Sequence, residues 1–203
     1  MGGDGGAGGG AGARGAEVGR GVDHVALWRG VNVGTAKRLP MAELRATVAA
    51  LGWLDPATLL NSGNLVATTD GPVGPDDVAA LRAAVLRDSG VDAAVVVLAG
   101  AEFARLAAAD PLRRDGRPPT LRSTAFAQVC GALAGVAPPD VDLGDEQLVV
   151  TPDAIYQWLP HGVLASRVPA AWWRALPVPV TARNGATVQK IVDLLARRAV
   201  SRP

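Results

Sequence analysis

Cysteine is almost missing from this chain: Cys130 is the only one among 203 residues. No intrachain disulfide can form, and a reducing compartment such as the cytoplasm is the expected location. Histidine is as scarce, with only His24 and His161. A zinc site built from clustered His and Cys therefore lacks ligands, and no Ser-His-acid set can be assembled from local signatures. Lysine occurs only at Lys37 and Lys190; every other basic residue is arginine. Charge of either sign is not in excess: the formal net charge is +1. A protein that holds nucleic acid by bulk electrostatics usually has a basic surplus, so a nucleic-acid partner is not expected. Long apolar runs are lacking too. The uncharged stretch between Asp92 and Glu102 is far shorter than the ~20 residues of a spanning helix.

What is present is a core. Apolar residues make up 49% of the chain and mean hydropathy is positive, which excludes disorder for the bulk of it. Residues 1–21 differ, being mostly Gly and Ala. Glycine loses the most entropy on ordering and nothing there can bury enough to offset it. They read as a flexible tail, without the apolar centre of a secretory signal.

From there the chain alternates. His24 to Val31 reads as a central strand with Val25 and Leu27 on one face and Ala26 and Trp28 on the other. A loop bracketed by Gly30 and Gly34 leads to a helix that Pro40 opens and Gly52 ends, with Met41, Leu44, Val48 and Leu51 as its buried stripe. Thr58 to Leu60 and Leu65 to Thr68 form a hairpin around a two-residue Ser62-Gly63 turn. Asp76 and Asp77 start a second helix, in the turn where the dipole favours acids. Val78, Leu81 and Val85 face inward, and Gly90 closes it. Ala93 to Leu98 is a buried strand. The order strand, helix, strand, strand, helix, strand is that of a ferredoxin-like βαββαβ lobe, α+β in class, spanning 22–99. In that fold the first two strands run parallel. The loop Arg29–Gly34 and the turn Asn61–Asn64 therefore share one end of the sheet.

Residues 100–203 read as a looser copy with antiparallel strands and a C-terminal helix. It contains a helix over Ala101 to Ala109, a strand over Arg122 to Val129, a helical turn over Gly131 to Val136 and a hairpin around Pro152-Asp153. A helix carrying Trp172 and Trp173, a short extended piece over Val178 to Thr181 and a last helix capped by Asn184 complete it.

Five segments together carry a family likeness: ALWRGVNVG at 26–34, LPMAELRATVAALGW at 39–53, NSGN at 61–64, IYQWLPHG at 155–162 and TARNGATVQK at 181–190. In order and spacing the chain resembles the bacterial domain of unknown function 1697 family. The resemblance implies a cytosolic bacterial α+β protein with ferredoxin-like lobes, and no reaction. Three positions depart from the family's usual pattern: Thr35 where a second glycine is usual, Asn61 where glutamine is usual, and Gly185 where tryptophan is usual.

Two polar clusters fall in these segments. Arg29, Asn32, Gly34 and Lys37, with Asn61, Ser62 and Asn64, could form an anion-binding nest at the sheet end. The same Gly and Asn positions are more simply explained as a strand-to-helix connection that needs positive φ. Arg183, Asn184, Thr187 and Lys190 surround a helix N-terminus, which suits a phosphate or carboxylate, although Asn184 is also explained as a cap. His24 and His161 read as plain surface residues and Cys130 as buried or inert. The five tryptophans read as packing rather than a base-stacking platform. The leading expectation is a small-anion or nucleotide-binding protein, with no catalytic residue assigned, no metal, no cofactor and no membrane contact. The alternatives are a protein–protein interaction module and, third, an enzyme using Arg and Lys as electrophilic clamps. Oligomeric state is not legible.

Overall fold

The computed structural model describes residues 21–34 and 38–201. The glycine-rich stretch over 1–20, and Thr35 and Lys37 in the first loop, lie outside the described residues. The first sheet contains β1 (Val22–Trp28), β2 (Leu54–Leu59), β3 (Asn64–Thr69) and β4 (Val95–Ala99), in the order β2-β3-β1-β4 and antiparallel throughout. Two helices, α1 (Met41–Ala50) and α2 (Pro75–Ser89), connect them in the βαββαβ sequence. They cover one face, where Leu44, Val48, Leu81 and Val85 pack against Ala26, Trp28, Leu65 and Ala67. At α2 the Asp77 carboxylate accepts from the Gly74 N–H at 2.8 Å, and Gly90 ends the helix at φ 68°.

Several boundaries differ from the sequence expectation. Leu51 stands just past α1 and is exposed rather than in its stripe. The second strand starts at Leu54, earlier than Thr58, and carries an irregularity between Leu54 and Ala57, next to Asp55 at φ 48°. The hairpin turn is four residues long, because Leu59 pairs with Asn64; Leu60 and Gly63 supply its positive φ angles.

The second sheet contains β5 (Arg122–Ala127), β6 (Gln147–Val150), β7 (Ala154–Trp158) and β8 (Val180–Asn184). Its order, β6-β7-β5-β8, repeats that of the first. The expected helical turn over 131–136 is instead a run of tight turns, with Ala134 N–H donating to Gly131 O and Val136 N–H to Leu133 O. Gly131 and Gly135 both have positive φ there, which a propagating helix excludes. The short α4 (Ala170–Arg174) stands in the position of a second crossover helix. The last strand begins two residues later than expected and runs to Asn184, so Arg183 is a strand residue.

Two more helices, α3 (Gly100–Ala108) and α5 (Gly185–Val200), join the sheets. Phe103 and Leu106 of α3, with Val188 and Ile191 of α5, cluster with Val25, Leu27, Val66, Val96 and Leu98 of the first sheet. Phe126, Ala154 and Tyr156 of the second sheet belong to the same cluster. The two sheets thus bury one face each against a common pair of helices. The far face of the second sheet carries Ala125, Ala127, Ile155 and Val180 under Leu133, Trp172 and Trp173. Along the outer edge of β4, the Gln128 amide stands in for a neighbouring strand, accepting from Val97 N–H at 2.7 Å and donating to Val97 O at 3.0 Å.

Candidate functional site

The loop after β1 and the turn after β2 meet at one end of the first sheet. Asn32 makes the join from an αL backbone, φ 56°. Its Oδ1 accepts from Leu39 N–H at 2.7 Å, and its Nδ2 donates to Leu39 O at 2.9 Å and Asn61 O at 2.6 Å. That amide is committed to holding backbone. Gly63 comes so close to β1 that a Cβ there would lie 2.6 Å from Val31 Cγ2 and 2.8 Å from Trp28 Cβ. Asn32, Gly34 and Asn61 line a cavity of 470 Å³ together with Arg38.

Arg183 reaches this end from the other sheet. Its Nε donates to Asn64 Oδ1. One terminal nitrogen donates to Trp28 O at 2.7 Å, Ser62 O at 3.1 Å and Gly63 O at 3.2 Å. The other donates to Thr181 Oγ1 and Ala182 O. Asn64 is fully buried and its Nδ2 ties back to Leu59 O and Ser62 Oγ, both at 3.0 Å. Every acceptor around Arg183 is neutral. By contrast Arg122 and Arg198, also mostly buried, each face a carboxylate, Asp110 and Asp23 respectively. Desolvation pushes Arg183 down to about 10, which leaves it charged at neutral pH.

Beside Arg183 lie two adjoining cavities that share Ser123, Val163 and Ala182 in their walls. The first, of 490 Å³, touches Ser62, Arg122, Arg183, Asn184 and Thr187. The second, of 570 Å³, touches Arg29, Gln157, Trp173, Arg174 and Thr181. Among the described residues, four arginines and no carboxylate line the pair. The register explains the polar floor. Ser123 is opposite Gln157 of β7 on one side and Asn184 of β8 on the other. Directly paired residues point to one face of a sheet, so Gln157, Ser123 and Asn184 form a row across three strands. Asn184 also caps α5, its Oδ1 accepting from Thr187 N–H at 2.8 Å.

The expected site residues therefore separate. Ser62, Arg183 and Asn184 border one cavity, with Asn64 buried behind Arg183, and Arg29 borders the cavity next to it. Asn32, Gly34 and Asn61 border a third, and Lys190 is exposed on α5 and lines none of these. Sequence reasoning missed Ser123, Gln157, Trp173 and Arg174. Gln157 had a signal: it is the one polar residue in the apolar run of β7.

The remaining reactive groups lie elsewhere. His24, read as a surface residue, is buried in β1, and burial lowers its pKa; the ring faces Val22 O and Thr69 Oγ1. His161 is exposed and pairs with Asp145 at 3.0 Å. Cys130 is exposed, not buried. Its thiol donates to Asp153 at 3.0 Å, which raises its pKa and keeps it protonated. Trp28 and Trp53 are core residues, whereas Trp158 lies under the Arg117 guanidinium, 4.7 Å from the ring centre. Among the described residues no helix is long and apolar enough to cross a membrane.

Residues 22–156 match the sequence profile of a family described as "Protein of unknown function (DUF1697)". Among solved structures, the chain is similar to conserved bacterial protein SP0830 from Streptococcus pneumoniae. The two share 23% identity at a TM-score of 0.59, over 86% of this chain and 99% of that one. That likeness bears on the fold, and agrees with paired ferredoxin-like sheets. No curated protein matches the chain.

Proposed function

The chain belongs to the DUF1697 family, whose function is unknown, and from its own geometry we propose that it binds a small anionic molecule in the double cavity beside Arg183. The observation that carries this reading is the charge of Arg183: mostly buried, held by neutral oxygens, and without the carboxylate that accompanies Arg122 and Arg198. Its N–H groups are already engaged, so it acts through its field. An anion ~7 Å away gains about 2 kcal/mol at an effective dielectric of ~20. Direct hydrogen bonds come from the exposed Arg29 and Arg174 on the rim. The start of α5, where Asn184 and Thr187 line the wall, adds a favourable dipole.

A thermal-shift titration with inorganic phosphate, pyrophosphate and sugar phosphates, at ionic strength held constant with chloride, tests this. At least one anion is expected to raise Tm saturably. Arg29→Ala and Arg174→Ala should leave the unliganded Tm nearly unchanged and at least halve that shift. A Tm that no anion moves, or a shift untouched by both variants, overturns the reading. An interaction module draws on Val163, which borders both cavities, and its chain neighbour Leu164, 70% and 101% exposed. For that reading, replacing both by serine abolishes self- or partner association and leaves anion binding intact.

A further inference from the structure

We infer that the anion is a nucleotide, with a base seated against Gln157 and Trp173 and a phosphate toward Arg29 and Arg174. This rests on the anion reading above and names the chemistry of its ligand.

Gln157 is 6% exposed. Its backbone is paired on both sides, to Ser123 and to Leu148, but its side-chain amide makes no hydrogen bond among the described residues. What it borders is the 570 Å³ cavity. That amide is not sealed off: the buried side-chain polar atoms without a partner among the described residues are Trp28 Nε1 and Arg122 Nε, and the Gln157 amide stays open to what fills the cavity. A glutamine amide presents an acceptor and a paired donor in one plane. The matching partner is a flat ring edge with the complementary pair, as in the bidentate contact of Gln with adenine N6 and N7. Ser123, directly opposite, adds a hydroxyl that both donates and accepts.

Trp173 supplies the second element. It is half-buried, rooted in the cluster under the second sheet and held edge-on to Trp172 with ring centres 5.0 Å apart. It therefore borders the cavity as a fixed indole, the kind of surface on which bases stack. Arg29 and Arg174 bring charge to the same cavity. An amide edge, an aromatic surface and two guanidinium groups around one cavity fit a base and a phosphate together. A bare inorganic anion would use only the arginines. The cavity size suits a small molecule, since ligand sites commonly run from about 300 to 1,000 Å³. The near-neutral charge of the chain favours a mononucleotide over a polynucleotide.

Isothermal titration of the full chain with ribose 5-phosphate, the four nucleoside 5′-monophosphates and an octanucleotide tests the assignment. Adenosine monophosphate is expected to bind at least tenfold tighter than ribose 5-phosphate. Gln157→Met, which keeps the side-chain volume, should erase that tenfold and leave ribose 5-phosphate binding unchanged. Arg29→Ala should weaken both. If Gln157→Met fails to fold, Trp173→Leu carries the same test, with the same selective loss. Equal affinity for all nucleotides and ribose 5-phosphate removes the base and leaves the anion reading standing. Absence of binding by every compound overturns both. Binding of the octanucleotide alone overturns the mononucleotide.

Discussion

Asn64 and Arg183, 119 positions apart in the chain, form a single hydrogen-bonded unit. A similar economy holds around Asp153, whose carboxylate accepts from the Cys130 thiol, Arg105 and the Gly131 N–H. These three donors, the thiol first, hold the carboxyl down to about 2. Because that value lies below the ~3.9 of an unfolded aspartate, the stabilisation is complete above about pH 4. It is lost as pH falls toward 2. Asp153→Asn is therefore expected to flatten the stability profile between pH 4 and 2 in acid-denaturation experiments. The same carboxylate keeps the thiol protonated, so iodoacetamide should alkylate Cys130 faster at pH 8 in the variant than in the parent. An unchanged alkylation rate would mean that the contact does not govern the thiol.

At the scale of elements, α5 shows how much was readable. Its cap, Asn184, is legible in the sequence, and Val188 and Ile191 are buried along the helix behind it. So is the meeting of the Arg29–Gly34 loop with the Asn61–Asn64 turn legible, since βαββαβ order makes the first two strands parallel. Arg183 and Gln157 were not readable in the same way. Their surroundings depend on how the second sheet faces the first, which no local period encodes. Gly185 belongs to this class too. It departs from the family's usual tryptophan, and a Cβ added there would lie 2.8 Å from Pro119 O, a backbone atom. Gly185→Ala should thus destabilise the chain by about 1–3 kcal/mol, despite the better helix propensity of alanine. Urea denaturation reads this directly; a stabilised variant would show that the turn at Pro119–Leu121 yields freely.

For the whole molecule the decisive fact is the shared middle cluster. Among the described residues, Val25, Leu27, Val66, Val96 and Leu98 cluster with Phe103, Leu106, Val188, Ile191 and the second sheet, all outside 22–99, with Leu59 of β2 packed against the same cluster. The division into lobes at 99 and 100 is therefore a boundary of topology, and we propose that the two halves unfold as one. A fragment of residues 22–99 should fail to give a cooperative melt, while the full chain gives a single transition by calorimetry and by circular dichroism. Independent folding of the fragment would reverse this. The α1 and α2 face, in contrast, is completed inside the first half. Ile191→Ala should accordingly cost about 2–5 kcal/mol, although it is remote in sequence from every strand of the first sheet.

The position of α5 also sets a clock. Arg198 holds Asp23 at 3.1 Å, so the last described helix closes on the first strand of the fold. On a ribosome adding ~5–20 residues per second, roughly 5–20 s separate the emergence of β4 from that of α5. During that wait, one apolar side of the newborn sheet has nothing to lie against. Chaperone occupancy of nascent chains is expected to peak in that interval and to fall once α5 has left the exit tunnel.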